Sequence, residues 1–342
     1  MGSSTSKSKR DRAARDEFSD DESDGHFLSP VGVVIDGDGN LIVVDSGMHC
    51  IHKVTPEGKM VAQYGCGVRG FQDGVGDQAQ FDEPHGIALD RDGNLFVADT
   101  SNHRIRKITP QGVVSTLAGR GMEGYQDGPR DQAQFYDPVA VAVTADGIVL
   151  VADMGNHRIR RITPKGFVST VAGSGLRGIK DGESTQAQFF NPWGICVGRD
   201  GCMIVADMSN HSIRQVTPSG EVTTLAGHPT WGYRSGYKTD ARLCNPCAVV
   251  VNGDGHVFMT DMRNDCIRKI SMPEGLVTTI AGNGESEPGY KDGKGAEAEF
   301  NEPHGLAIDD KGNVFVADMG NKCVRKITPE GRVSTIAGFR GE

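Results

Sequence analysis

The chain has 342 residues and a formal net charge of −9; 37% of its residues are hydrophobic, 6% are aromatic and 47 are glycine. This composition favours many short strands joined by tight turns over a helical bundle. No apolar run approaches the ~20 residues that a membrane helix needs, and no apolar segment stands at the N-terminus. We therefore expect a cytoplasmic protein whose cysteines are reduced. The acidic balance argues against nucleic acid as the partner, because phosphates are repelled.

The N-terminal segment, residues 1–25, is polar, charged and without periodicity, which predicts a disordered tail. The tail begins Met1-Gly2-Ser3-Ser4-Thr5-Ser6-Lys7, which matches the pattern for N-myristoylation of Gly2 after removal of the methionine. It also resembles the start of myristoylated tyrosine kinases of the Src type. The alternatives are a chance match and the remnant of an added tag.

Basic residues follow the predicted acylation site at Lys7, Lys9, Arg10, Arg12 and Arg15. One acyl chain holds a protein to a membrane only weakly, and a basic cluster adds roughly 1 kcal/mol per charge near an anionic leaflet. The two signals together predict a peripheral tether to the cytoplasmic face of a membrane. The tail then turns acidic, and Ser19 resembles a site for acidophilic kinases, whose phosphate we expect to weaken the tether.

A repeat follows the tail and predicts one domain over residues 26–342. In each copy an aspartate ends an apolar run, at Asp45, Asp99, Asp153, Asp207, Asp261 and Asp318. A proline opens each copy, at Pro30, Pro84, Pro138, Pro192, Pro246 and Pro303. The period is 54 residues for both markers, except for the last gap, which is 57 residues. Fixed spacing of this kind is the signature of a repeat architecture.

The second copy shows the strands of one unit. Four short apolar runs are separated by turns, at Gly86–Asp90, Leu95–Ala98, Arg104–Ile108 and Val113–Ala118. Gly93 supplies the positive φ that the first hairpin turn requires. Four antiparallel strands per unit, repeated six times, predict an all-β, six-bladed β-propeller with one four-stranded sheet per blade.

Extra residues, here called inserts, lie between the fourth strand of one unit and the first strand of the next. Most copies carry Asp-Gly and then Ala-x-Phe, as in Asp127-Gly128 and Ala133-Gln134-Phe135. A feature that recurs around the ring indicates architecture more than a binding site. We expect the phenylalanine to pack between adjacent blades.

The segments Asn102-His103-Arg104-Ile105-Arg106 and Asn156-His157-Arg158-Ile159-Arg160 resemble the Asn-His-Leu signature that names the NHL repeat. The flanking sequence around Pro84 and Ser115 also looks like that family, and the resemblance covers about nine-tenths of the chain. The Asn-His pair is intact in the second, third and fourth copies only. We expect the histidine to make a loop-stabilising hydrogen bond.

The resemblance implies a broad range of functions. NHL propellers include substrate-binding domains of ubiquitin ligases, RNA-binding repressors, a bacterial receptor-kinase sensor and a zinc lyase, and the fold does not choose among them. The chain carries no RING-type Cys/His array, so it would not act as a ligase by itself. We expect a monomeric, non-catalytic protein-interaction scaffold without catalytic residues, metal or cofactor. The alternatives are a metal-dependent lyase or hydrolase and an RNA-binding propeller.

Basic residues recur on the third strands, at Arg104, Arg106, Lys107, Arg158, Arg160, Arg161, Lys269 and Lys326. Because they are spread over several blades, we expect them to be ion-paired or solvated. A phosphate-binding patch on the second and third units is the alternative.

Strand order assigns the two faces of the propeller. The inserts and the loops after the second strands should share one face, the loop-rich face, and the short hairpin turns should lie on the other, the turn face. Variable loops are where a partner is expected. The residue after each opening proline should crowd the channel mouth, at Val31, His85, Val139, Trp193, Cys247 and His304. Only two of the six are histidines, and Cys247 would have to be the third ligand of any zinc site.

The insert before the fifth unit departs most from the others. It loses the Asp-Gly and is rich in aromatic residues, which anchor interfaces. We expect it to lie beside Trp193, so that both tryptophans share one region. The predicted partner-binding residues are Trp193, Trp231, Tyr233, Arg234, Tyr237, His85 and His304. The alternative is that the aromatic residues fill the gap left by the lost phenylalanine, whose place is taken by Leu243.

Overall fold

The computed structural model describes residues 26–284 and 287–338. Over these residues the chain forms six antiparallel sheets, and the innermost strand of each sheet contacts the innermost strands of both neighbours, the last blade with the first included. The predicted six-bladed, all-β propeller is confirmed. All eight cysteines lie in this part of the chain as free thiols.

Each blade is built from four antiparallel strands in chain order from the channel outwards. The strands are β1 (Pro30–Ile35), β2 (Leu41–Asp45), β3 (Cys50–Val54) and β4 (Met60–Tyr64) in blade 1; β6 (Pro84–Leu89), β7 (Leu95–Asp99), β8 (Arg104–Ile108) and β9 (Val113–Ala118) in blade 2; β11 (Pro138–Val143), β12 (Val149–Asp153), β13 (Arg158–Ile162) and β14 (Phe167–Ala172) in blade 3; β16 (Pro192–Val197), β17 (Met203–Asp207), β18 (Ser212–Val216) and β19 (Glu221–Gly227) in blade 4; β21 (Pro246–Val251), β22 (Val257–Asp261), β23 (Cys266–Ser271) and β24 (Leu276–Ala281) in blade 5; β26 (Pro303–Ile308), β27 (Val314–Asp318), β28 (Cys323–Ile327) and β29 (Arg332–Gly338) in blade 6.

Each insert adds a two-residue fifth strand, which the sequence analysis did not anticipate. These strands are β5 (Gly74–Val75), β10 (Gly128–Pro129), β15 (Gly182–Glu183), β20 (Gly236–Tyr237) and β25 (Gly293–Lys294). Each pairs with the outermost strand of the blade that follows it, as β5 does with β9. An insert is therefore part of the following blade and covers its outer edge.

Short 3₁₀ helices complete the described elements. Five follow the second strands of blades 2 to 6, at Thr100–Asn102, Met154–Asn156, Met208–Asn210, Met262–Asn264 and Met319–Asn321. Four lie in inserts, at Gly76–Gln78, Ser184–Gln186, Lys238–Asp240 and Gly295–Glu297.

The hydrophobic core lies between the blades, because each sheet buries its faces against its two neighbours. Phe135 is fully buried in a cluster that joins residues of blades 2 and 3, such as Ile105 and Val151. Phe81, Phe189 and Phe300 hold the same place at other junctions, and Leu243 holds it at the junction of blades 4 and 5. The predicted packing of the insert phenylalanine between blades is confirmed. Full burial of such a ring contributes roughly 1.5–3 kcal/mol.

The ring closes between blades 6 and 1 by side-chain packing. Phe27 is 5% exposed and packs in a cluster with Val33 of blade 1 and with Ala317 and Ala337 of blade 6. It stands one period before Phe81, so the first blade supplies its own copy of the interblade phenylalanine.

Candidate functional site

The Asn-His signature of the repeat holds neighbouring blades together. His103 adopts the left-handed conformation at φ 51°, and its Nδ1 accepts the backbone N–H of Asp137 in the next blade at 3.2 Å. Asn102 donates to the Gly70 carbonyl of the preceding insert at 2.8 Å and to Asp99 at 3.0 Å. The predicted loop-stabilising hydrogen bond is confirmed, and it is an interblade bond. This bond recurs as Glu83 to His49, Asn191 to His157, Asn245 to His211 and, with a carboxylate as acceptor, Glu302 to Asp265.

A buried ion pair lies at the centre of five blades. In blade 2, Arg106 is fully buried; its Nη1 is 2.7 Å from Asp99 Oδ2 and its Nη2 is 2.7 Å from Asp73 Oδ1 of the insert. The equivalent central pairs are Arg160–Asp153, Arg214–Asp207, Arg268–Asp261 and Arg325–Asp318. The expectation of ion pairing is confirmed for Arg106 and Arg160. Arg106 and Arg160 are unavailable to an external phosphate, which removes the centre of the alternative basic patch.

The residues that follow the opening prolines line the channel mouth, as predicted. All six border a cavity of about 80 Å³ on the axis of the ring. His85 and His304 both meet Trp193 edge-to-face, with ring centroids 5.7 and 5.9 Å apart and interplanar angles of 76° and 77°. Three blades that are not adjacent thus bring two imidazoles and one indole together at a single point.

Both histidines of the channel mouth present a hydrogen-bond acceptor. His85 Nδ1 is 3.0 Å from the Glu83 carbonyl and His304 Nδ1 is 3.3 Å from the Glu302 carbonyl. A carbonyl only accepts, so each Nδ1 carries the hydrogen and each Nε2 is left with a lone pair. Burial lowers the pKa of His304 to about 4 and also lowers that of His85. Both rings are therefore neutral near pH 7.

Cys247 also lines the channel mouth, but its thiol is buried and unreactive. The Cys247 thiol is 3.6 Å from the Asn245 carbonyl and 3.7 Å from the Met262 sulfur. Burial raises the pKa of Cys247 far above its ordinary value, so the thiolate that zinc requires is disfavoured. Across residues 26–284 and 287–338, no group of three or more histidine, cysteine, aspartate or glutamate side chains is arranged to hold a metal ion.

The aromatic insert before blade 5 lies away from the channel mouth. Its strand β20 pairs with β24, the outer strand of blade 5, so Tyr237 stands opposite Leu276 on the outer edge. Trp231 is 69% exposed and precedes this strand, where the insert leaves the loop-rich face. The expected region that contains both Trp193 and Trp231 is therefore wrong: one residue lies at the axis and the other at the rim.

The residues of this insert differ in what they contact. Tyr233 lies over the guanidinium of Arg268, 4.8 Å from ring centroid to carbon, and its hydroxyl is 2.9 Å from that of Thr279. Tyr125 makes the same contacts in blade 3, so Tyr233 belongs to the architecture. Trp231 and Arg234 are exposed and fill no gap in the core.

Sequence reasoning missed the exposed apolar tips of the first three inserts. Val68, Met122 and Leu176 are 43%, 59% and 67% exposed and begin their inserts on the loop-rich face. Their spacing of 54 residues is the signal that would have found them. Together with Trp231 they are exposed apolar residues of inserts on the loop-rich face, and we call the four residues the apolar rim.

The predicted sites of the tail lie outside the described residues. These are the lipidation site Gly2, the basic residues Lys7, Lys9, Arg10, Arg12 and Arg15, and the phosphorylation site Ser19. Among the residues that the structure does describe, no helix has the length and apolar character needed to cross a membrane.

Two curated relatives match most of the chain. Protein SUPPRESSOR OF QUENCHING 1, chloroplastic, of Arabidopsis thaliana is 34% identical over 285 residues, which cover 76% of this chain and 26% of the relative. NHL repeat-containing protein 2 of Bos taurus is 28% identical over 355 residues, which cover 92% of this chain and 49% of the relative. The chain thus spans half or less of the length of these relatives.

Solved structures support the fold. Virginiamycin B lyase of Staphylococcus aureus superimposes with a TM-score of 0.57 at 16% identity, over 92% of this chain and 86% of the lyase. At this identity the likeness concerns the fold alone. The NHL repeat family matches the sequence at residues 27–54, 81–108, 135–162 and 300–327, which are the first three strands of blades 1, 2, 3 and 6. The chain is a six-bladed β-propeller of the NHL-repeat family.

Proposed function

We propose that this propeller is a protein-interaction scaffold that captures a partner on its loop-rich face. The observation that carries the proposal is the meeting of His85, Trp193 and His304 at the channel mouth. The five interblade hydrogen bonds and the buried ion pairs account for the repeated polar residues as scaffold. The residue after the opening proline differs in type from blade to blade, as expected of a binding surface.

The chemistry of the channel mouth indicates what a partner presents there. Two neutral imidazoles offer acceptor nitrogens, and Trp193 offers an apolar ring face beside Val31 and Val139. A small, partly apolar group that carries a hydrogen-bond donor fits this environment. The cavity of about 80 Å³ admits one side chain or chain terminus, not a folded domain. The rest of the partner would rest on the surrounding rim.

The rim supplies a second contact zone. Trp231 is the most exposed large apolar residue described, and tryptophan is among the residues most enriched in binding hot spots. Met122 and Leu176 are nearly as exposed on the same face. A partner that spans the axis and the rim would bury both zones.

The test is affinity capture with the purified chain, read by mass spectrometry. Trp193→Ala and Trp231→Ala should each lower recovery of the same partner at least tenfold while each variant keeps a single cooperative unfolding transition. Phe167→Ala is the matched control, because Phe167 is 51% exposed at the start of β14, near the turn face. Equal recovery by all four forms would count against the loop-rich face.

The enzyme and RNA alternatives have their own signatures. Stoichiometric metal in the purified protein, found by elemental analysis, would favour a metal-dependent lyase or hydrolase. A salt-sensitive mobility shift with RNA would favour an RNA-binding propeller.

We propose further that the N-terminus tethers the scaffold to membranes. Support comes from the acylation pattern at Gly2 and from the basic cluster Lys7–Arg15. The acylated chain should float with vesicles that contain anionic lipid, and Gly2→Ala should stay in the soluble fraction. Flotation of both forms to the same extent would refute the tether.

A further inference from the structure

The outer edge of blade 1 differs from that of every other blade. Blades 2 to 6 each carry a fifth strand from an insert, whereas the described part of blade 1 ends at β4. The edge of a sheet presents unpaired N–H and C=O groups that can pair with another segment. Along this edge Val61 is 50% exposed and Gln63 is also exposed.

Among the described residues, the centre of blade 1 also has no counterpart of the contact that an insert makes in blade 2. His52 stands where Arg106 stands in blade 2, seven residues after the central aspartate. It is 1% exposed and its Nε2 is 3.1 Å from the Cys50 sulfur, but its Nδ1 has no hydrogen-bond partner among the described residues. In blade 2 the equivalent arginine reaches into the insert, at Asp73 and the Gln72 carbonyl. The unpaired nitrogen of His52 therefore faces a place where the described residues supply no insert.

The repeat period indicates which residues of the chain correspond to an insert for blade 1. Phe27 occupies the site of the interblade phenylalanine, one period before Phe81. Counting back from it at the spacing of the other inserts puts residues 20 and 21 at the place of β5. The same count puts Gly25 at the place of Ala79, a fully buried position that requires a small side chain.

Two further residues before Phe27 have the chemistry of their counterparts in the other inserts or of their expected partners. Ser19 falls where Asp73 stands, and blade 5 already uses a serine there: Ser235 accepts from Arg268 at 3.4 Å. Asp21 falls opposite Lys59, because β5 pairs Val75 with Val113 and Lys59 is the blade 1 counterpart of Val113. Lys59 is exposed at the start of the edge, so the charges are complementary.

We propose that the outer edge of blade 1, formed by Lys59 to Tyr64 and the His52 nitrogen, is a docking site for residues 19–25 of this same chain. Docked there, the segment is the fifth strand of blade 1 and covers the seam between blades 6 and 1. The first blade thereby gains the outer cover that the other five have.

Hydrogen–deuterium exchange of the full chain tests the proposal. Gly25→Trp places a large ring where only a small side chain fits, and should speed exchange of the amides of residues 59–64 at least tenfold. Ser23→Trp is the matched control, because the equivalent residue Asp77 is exposed, and it should exchange like the unaltered chain. The amides of residues 113–118 in blade 2 are the internal reference for global unfolding.

A charge exchange covers the case in which Gly25→Trp disturbs the whole protein. Lys59→Glu should speed exchange at the edge, and the added change Asp21→Lys should restore the protection. Equal exchange of residues 59–64 in all forms would overturn the proposal. Protection of the edge that rises with protein concentration would assign it to a second copy and would also overturn it.

Discussion

Blades 1 and 2 are two copies of one repeat that neutralise the same buried carboxylate in different ways. In blade 2, Asp99 accepts from a backbone N–H, from Asn102 and from the guanidinium of Arg106. In blade 1, Asp45 accepts three backbone N–H groups, those of Leu28, Ser29 and Met48, at 2.7, 2.9 and 3.1 Å. The repeat thus requires the carboxylate, whereas the positive partner is replaceable by backbone donors.

The seam next to blade 1 differs from the other junctions in a second way. Five junctions have a side-chain acceptor for a backbone N–H of the next blade, but Lys322 occupies that place in blade 6 and makes no such bond among the described residues. Packing around Phe27 closes the ring there instead. We infer that this seam depends on apolar packing, whereas the other five junctions combine apolar packing with an interblade hydrogen bond.

The largest expected effect comes from the buried ion pair. Arg160→Ala leaves the buried Asp153 without its cation and should lower the free energy of unfolding by about 3–5 kcal/mol. His52→Ala should cost less, because Asp45 keeps its three backbone donors. Urea unfolding measures both. Arg161→Ala, at the exposed neighbouring position, is the control and should change the free energy of unfolding by less than about 0.5 kcal/mol. Equal losses of stability for Arg160→Ala and His52→Ala would contradict the difference between the two blades.

Loss of the interblade hydrogen bond to His103 should lower the free energy of unfolding by less than loss of the buried ion pair. His103→Ala removes the acceptor for the partly buried Asp137 N–H and should cost about 1 kcal/mol by thermal or urea unfolding. Lys322→Ala is a matched control, because both residues have φ near 50° and so bear the same cost of an alanine in the left-handed region. An equal cost for the two variants would show that the hydrogen bond contributes nothing.

The smallest effect concerns pH, and it compares a blade centre that holds a histidine with one that holds an arginine. Burial lowers the pKa of His52, against the opposing field of Asp45. A folded-state pKa below the unfolded value means that the stabilisation is present above pH 6.5 and is lost as the pH falls towards the folded value. Acidification from pH 7 to 5 should therefore speed amide exchange in β3 and β4, after correction for intrinsic rates, more than in β8 and β9. His52→Phe should abolish this difference; persistence of the difference would assign it to another group.

Much of the fold was predictable because each repeat carries residues that mark its own strands and turns. The proline and the aspartate of each copy mark the start of the first strand and the end of the second, and glycines such as Gly93 at φ 81° mark the turns. Repetition then made Phe135 and His103 interpretable, because a residue needed at every junction is a scaffold residue. The residues at the channel mouth followed from their place after the prolines.

Other features required the assembled ring. In the sequence Arg106 belongs to a basic third strand, and only the packed blade shows that it is buried between two carboxylates. Trp231 does not lie beside Trp193 as predicted, because the insert pairs with the outer strand of the following blade. The contact of Trp193 with both histidines was not predictable, because the histidines come from blades two repeats away in either direction.

The sequence by itself determined the number of blades, the strands of each blade and the side chains that point to the channel. These follow from turn chemistry and from the alternation of apolar residues, which act over a few neighbouring positions. Only the tertiary structure decided which distant side chains meet, which charges are buried and which blade edges the inserts cover. Those outcomes depend on the curvature and closure of the ring, where sheets far apart in sequence pack face to face.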